Sequence, residues 1–127
     1  MQRRDINAPD APAPAGRYSQ AVEVTGATKT VYLSGQVGTD KEGMIPEDAA
    51  EQCRLVWANI TAQLRAAGMT TDHIVKIVTI LTDLSYLGAN RTARQEALGE
   101  CQPASTLIIA GLVDPALKVE IEVIAVS

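Results

Sequence analysis

Apolar residues in the first quarter of the chain fall into short β-prone runs separated by turn-forming residues. The runs Ala21–Val24 and Thr30–Ser34 flank a spacer at 25–29, and this pattern predicts an opening β-hairpin. The segment before them, residues 7–16, has Pro or Gly at four positions, which excludes a helix or a central strand. We therefore expect an arm or lead-in followed by two paired strands.

Two later segments have the features of α-helices. From Pro46 the apolar positions recur at steps of three and four residues, and Gly68 is expected to end this amphipathic helix. Capping side chains at Thr82–Ser85 predict a second helix that runs to about Leu98 and is closed by Gly99. The apolar positions of the first helix are Cys53, Val56, Trp57, Ile60, Leu64 and Ala67.

Three further strands are predicted from apolar runs. Ile74–Leu81 is a largely β-branched run that suits a mid-sheet strand buried on both faces except at Lys76. Thr106–Ile109 and Val119–Val126 follow, joined by turn residues at 111–115. The order β-β-α-β-α-β-β predicts an α/β (α+β) fold in which two helices cover one face of a mixed sheet. The apolar second face then calls for burial against other subunits.

Composition narrows the class of function. With 127 residues, 46% of them apolar, the chain can form one domain, assigned to 1–127, whose modest core would gain from burial at subunit contacts. A formal net charge of −4 provides no basic field for a nucleic-acid partner. Because no apolar run is long enough to span a membrane and no secretory signal is seen, we expect a cytoplasmic protein without a membrane partner.

Cysteine and histidine are too scarce for a metal site. Cys53 and Cys101 cannot form a disulfide framework, and His73 is the only histidine, so no set of ligands stands at zinc spacing. We expect structural roles for His73 and Cys101, and no metal.

The last predicted strand contains two carboxylates in an otherwise apolar run. The two-residue period of a strand puts Glu120 and Glu122 on the same face as Lys118, while Val119, Ile121, Val123 and Ala125 face the other way. One interpretation is that both carboxylates are solvated at a sheet edge. The other is that a desolvated glutamate activates water in a pocket.

Glycines and hydroxyls at strand ends complete a set of motifs that resembles the RidA/YjgF family over essentially the full length of the chain. Gly16-Arg17-Tyr18-Ser19-Gln20-Ala21 is similar to the family's Gly-Pro-Tyr-Ser-Gln-Ala, and the other motifs follow in family order. These are Val31–Gln36, Ala67–Gly68 with Ile74–Lys76, Leu81–Leu84, Asn90, Pro103–Thr106 and Val119–Ala125.

This resemblance implies a chorismate-mutase-like fold, a homotrimer with three clefts between subunits, and no metal or organic cofactor. Enzymatic members hydrolyse reactive imines and enamines, such as 2-aminoacrylate, to a keto acid and ammonia. Glu120 matches the glutamate that helps to place the attacking water. The positions that match residues shaping or contacting the cleft are Tyr18, Ser34, Gly35 and Asn90.

The chain departs from the active branch of that family at one position. Active members carry an arginine after Pro-Ala, which pairs with the substrate carboxylate, whereas this chain has Ser105 followed by Thr106. Arg17, which replaces the usual proline before Tyr18, could supply the missing cation. Alternatively, the substrate has no carboxylate, and Ser105, Thr106 and Glu120 act on a neutral amide or enamine by hydrogen bonding and acid-base help. The sequence favours the second alternative.

Two classes of function remain. The preferred hypothesis is a cofactor-free hydrolase or deaminase that acts on a C–N bond of a small imine, enamine or amide in an intersubunit cleft, with Glu120 as the catalytic residue. The alternative is a noncatalytic metabolite-binding or regulatory trimer, which the absent arginine favours. An endoribonuclease or translation inhibitor is disfavoured by the acidic charge and the lack of stacking aromatics.

Overall fold

Seven strands and two α-helices make up the fold in a computed structural model that describes residues 1–127. Five strands form a mixed sheet of order β3-β7-β5-β6, with β4 also paired to β7; β5 and β6 run parallel, and β5 and β7 antiparallel. The predicted mixed sheet with two helices is confirmed. The elements are β1 (Gln2–Ile6), β2 (Ala21–Thr25), β3 (Thr30–Tyr32), β4 (Gln36–Val37), α1 (Ala49–Ala66), β5 (Ile74–Leu81), α2 (Leu87–Leu98), β6 (Ala104–Ile109) and β7 (Val119–Val126).

The two helices cover one face of the sheet, and the hydrophobic core lies between the helices and the sheet. Alternation along β7 buries Val119, Ile121, Val123 and Ala125 against α1, whose apolar stripe follows the predicted spacing. Asp48 caps the first turn of α1 by accepting a hydrogen bond from the backbone N–H of Glu51. No helix has both the length and the apolar character that crossing a membrane requires.

A buried glutamine ties α1 to the strand that carries the candidate carboxylates. Gln52 is 0% exposed; its Nε2 donates to the carbonyls of Pro46 and Ala116 at 2.8 and 2.9 Å, and its Oε1 accepts from the N–H of Lys118 at 2.9 Å. Gly38 packs so closely on this residue that a Cβ there would lie 2.6 Å from the Gln52 backbone carbonyl oxygen. The helix and the entry to β7 are therefore fixed to each other at one buried point.

The opening hairpin predicted from the sequence is wrong. β2 pairs antiparallel with β1, whose residues precede the proline-rich arm, in a separate two-stranded sheet, while β3 pairs with β7. Arg3 of β1 fixes this sheet to the rest of the molecule, because its Nη1 donates to the carbonyl of Ile74 at 2.9 Å. Its Nε donates to Asp5 of the same strand at 2.9 Å. The pairing of β1 with β2 also includes an ion pair between Arg4 and Glu23.

The sheet face opposite the helices is open in the single chain. Tyr32 and Ile108 are 74% and 45% exposed, and the β5 side chains on this face, Val78 and Ile80, are only half-buried. The prediction that Ile74–Leu81 is buried on both faces except at Lys76 therefore does not hold within the single chain. An apolar surface of this extent remains available for contact with another molecule.

Candidate functional site

The segment that carries Arg17 and Tyr18 is attached directly to the start of β6. Ser19, which is almost completely buried, donates through its Oγ to the carbonyl of Gln102 at 2.5 Å, and its backbone N–H donates to the carbonyl of Pro103 at 3.2 Å. Ser19 also forms a parallel bridge with Ala104. These contacts bring the residues just before Ser19 alongside Ser105.

A cleft of about 570 Å³ opens between this segment, α2 and β6. It brings together four of the residues predicted from the sequence: Arg17, Tyr18, Asn90 and Ser105. The side-chain amide of Asn90 forms no hydrogen bond within the chain, although the residue is only 5% exposed. The hydroxyl of Tyr18 accepts a hydrogen bond from the N–H of Ala15 at 3.2 Å, which holds the ring in place at the cleft. The cleft is therefore a preformed pocket with an unused polar group.

Arg94 on α2 also lines this cleft, and sequence reasoning missed it. Its Nη1 donates to the Oγ of Ser105 at 2.8 Å, and its Nη2 lies 3.5 Å from the carbonyl oxygen of Arg17. A guanidinium thus lies against Ser105, the position at which the resemblance led us to expect an arginine. The available signal was the spacing of Asn90 and Arg94, which are four residues apart and share one face of a helix.

Glu120 lies over Gly35. A Cβ at Gly35 would be 2.8 Å from the Cδ of Glu120 and 2.9 Å from its Oε2, so only glycine leaves room for this carboxylate position. Ser34 and Gly35 are both exposed next to β4, which pairs with β7 through Val37 and Glu120. The structure therefore brings Ser34, Gly35 and Glu120 together. We call these three residues, of which Glu120 supplies the carboxylate, the carboxylate cluster; it is separate from the cleft.

The cleft and the carboxylate cluster project from opposite faces of the sheet. Ser105 pairs with Ile77, which is buried on the helix side, whereas Glu120 pairs with Ile80 three residues further along β5. Neighbouring side chains of a strand alternate between faces, so positions three apart point in opposite directions. Within one chain, Glu120 does not meet Tyr18, Asn90 or Ser105.

Thr106 is not part of the cleft. It faces away from Ser105, toward the open face of the sheet, where its Oγ1 accepts a hydrogen bond from Lys76 Nζ at 3.0 Å. The expectation that Ser105 and Thr106 act together on one substrate group is therefore not met within one chain, because adjacent strand residues point in opposite directions.

Cys101 lies outside both groups. Its Sγ accepts a hydrogen bond from Arg3 Nη1 at 3.5 Å and lies 3.7 Å from the carbonyl oxygen of Ile74. Burial raises the pKa of the Cys101 thiol, and the nearby Arg3 guanidinium only partly opposes this effect. The thiol form is favoured, which suits a packing role. His73 likewise acts locally, since its Nδ1 accepts from the N–H of Thr70 at 3.0 Å.

Comparison with known proteins gives one family. The family described as Endoribonuclease L-PSP matches residues 8–127. A RutC family protein of Aquifex aeolicus (strain VF5) is 33% identical over 98% of this chain and 99% of its own length. The 2-iminobutanoate/2-iminopropanoate deaminase of Mus musculus is 32% identical over 98% of this chain and 92% of its own length.

The solved structures agree with the sequence comparison. The crystal structure of YyfB from Yersinia pestis, described as a protein of unknown function of the conserved Rid protein family, superimposes with a TM-score of 0.85 and 30% identity. The match covers 100% of both chains. The similarity therefore extends over every element described above.

Proposed function

Because the chain belongs to the Endoribonuclease L-PSP family, which includes RutC and Rid proteins, we propose that it is a cofactor-free hydrolase of small imines and enamines. The observation that carries this proposal is the carboxylate of Glu120, which lies against Gly35 on the open face of the sheet. Such a group has no packing function that an apolar residue would not perform better. The deaminase name of the mouse relative supports the same reaction class.

The proposed reaction needs one group that moves protons. A water molecule adds to the carbon of the C=N bond while Glu120 takes a proton from that water and returns it to the nitrogen. In the second step Glu120 takes the proton of the new hydroxyl and passes it to the nitrogen, the C–N bond breaks, and ammonia leaves as the C=O bond forms. Water and imine thus become ketone and ammonia, and the carboxylate ends in its starting state.

We assign the active site to two subunits of a homotrimer. Glu120 and the cleft containing Asn90 and Ser105 face opposite sides of one sheet, so a single chain does not bring them together. A ring of identical subunits brings the carboxylate cluster of one copy to the cleft of the next, because each contact joins two different surfaces. The open apolar face, with Tyr32 and Ile108, supplies area for these contacts.

The direct test measures release of ammonia and keto acid from 2-iminobutanoate and 2-iminopropanoate generated in situ, beside a panel of neutral enamines and amides. We expect the purified protein to accelerate hydrolysis of at least one imine or enamine above the buffer rate. Absence of acceleration across the whole panel would refute the hydrolase and leave the noncatalytic binding trimer as the better description.

Mixed oligomers test whether two subunits share the site. Glu120→Gln and Asn90→Leu subunits are each expected to be inactive alone, and co-assembly should restore about a quarter of the wild-type activity, because random mixing leaves about one interface in four with both groups intact. The matched control is a Glu120→Gln/Asn90→Leu double variant co-assembled with wild type. It should retain about a quarter of the activity for a shared site and about half for a site within one subunit. No recovery from the two single variants would contradict the shared site.

A further inference from the structure

The cleft is strongly cationic in a chain whose formal net charge is −4. Three arginines line it, Arg17, Arg91 and Arg94, and none of its eleven lining residues is acidic. Arg17 and Arg91 are exposed at the rim, whereas Arg94 is half-buried. Charge of one sign in a concave site raises the local concentration of ligands of the opposite sign.

Arg94 has no carboxylate partner within the chain. The ion pairs of the structure lie elsewhere, and the two contacts of its guanidinium are the hydroxyl of Ser105 and the distant carbonyl oxygen of Arg17. A guanidinium has five N–H donors, so most of them remain available. Burial lowers the pKa of Arg94, which is the response of a cation that lacks a compensating anion.

We propose that Arg94 binds the carboxylate of the small molecule that occupies this cleft. The identification of that molecule as an imino acid rests on the proposed function; the anion site itself rests on the arginines. The planar guanidinium matches a carboxylate with two parallel hydrogen bonds. Asn90, one helical turn before Arg94, adds a free amide on the same side of α2.

This assignment changes the substrate class expected from the sequence. Because residue 105 of β6 is a serine, the strand carries no cation at this position, and the sequence therefore favoured a neutral substrate. Arg94 supplies a cation at the same place from the helix, where Ser105 accepts one of its hydrogen bonds. The substrate is therefore a carboxylate-bearing imine or enamine, and a neutral analogue of the same shape binds more weakly.

Binding of a matched pair of probes tests the assignment. The probes are 2-oxobutanoate and its uncharged amide, titrated by calorimetry into the wild-type oligomer and into the variants Arg94→Ala and Arg94→Lys. We expect Arg94→Ala to weaken binding of the acid by about tenfold or more and to leave that of the amide unchanged. Arg94→Lys keeps the charge but loses the planar pair of donors, so an intermediate loss is expected.

Arg65→Ala is the control, since it removes an equal charge from an exposed position on α1 outside the cleft. An equal loss for acid and amide in Arg94→Ala would mean that Arg94 only holds the cleft together, and would overturn the proposal. So would a loss in Arg65→Ala as large as that in Arg94→Ala.

The imine assay separates this proposal from the proposed function. In one outcome, Glu120→Gln slows hydrolysis of 2-iminobutanoate, but the KM for this substrate is the same in Arg94→Ala as in Arg65→Ala. This result would overturn the role of Arg94 and leave the hydrolase intact. Selective loss of acid binding in Arg94→Ala, in a protein that hydrolyses no imine, would support the anion site and refute the hydrolase.

Discussion

Glu120→Gln is expected to lower the rate of imine hydrolysis by at least about 100-fold while the protein stays folded. Glutamine has nearly the same shape as glutamate, so it fits over Gly35, but its amide cannot take a proton from water. The measurement is kcat/KM for keto acid formation, with a thermal melt to show that the free energy of unfolding is unchanged.

Glu122→Gln provides the matched control for this experiment. Glu122 lies two residues further along β7, on the same face of the sheet, and is exposed. The Glu122→Gln substitution removes the same charge at a residue that does not lie against Gly35, so we expect activity within about twofold of wild type. Equal losses in the two variants would mean that the charge of this face matters, rather than the carboxylate of Glu120.

Gln52→Leu is expected to destabilise the fold by about 3 kcal/mol, the largest effect on stability that we predict. Leucine has a similar volume, but it leaves the carbonyls of Pro46 and Ala116 and the N–H of Lys118 without their buried partner. The measurement is the free energy of unfolding from urea titration at one fixed protein concentration, because the stability of the proposed trimer varies with concentration.

The control is Gln63→Leu, the same substitution on the exposed side of α1. We expect it to change the free energy of unfolding by no more than about 0.5 kcal/mol. A comparable loss of stability at both positions would show that the helix, and not the buried amide of Gln52, accounts for the effect.

The parts of the fold that could be predicted from the sequence are those decided by local periodicity. β5 and β7 have the bounds that their apolar runs predicted. As predicted, Glu120 and Ile121 point to opposite faces of the sheet, with Ile121 buried in the core. The pairing of β2 was not predictable in this way. Its partner β1 is short and largely polar, and the contacts that place it, such as those of Arg3 with Ile74 and of Arg4 with Glu23, join residues far apart in the chain or on different strands.

The candidate site was predictable only in part for the same reason. Motifs identified the two groups of residues, but their distribution over opposite faces depends on which strands pair. Strand alternation alone could have separated Ser105 from Thr106. The contact between Arg94 and Ser105 joins residues of a helix and a strand, so no spacing along the chain reveals its geometry.

The position of β7 has a consequence for how the protein is made. It is the last strand in sequence, yet it lies between β3 and β5 and is the only strand of the sheet with which β3 and β4 pair. Until residues 119–126 leave the ribosome, β3 and β4 have no strand to pair with, and β5 lacks its antiparallel neighbour. β3 and β4 therefore join the sheet only after this segment has been synthesised, whereas the parallel pairing of β5 with β6 does not depend on it.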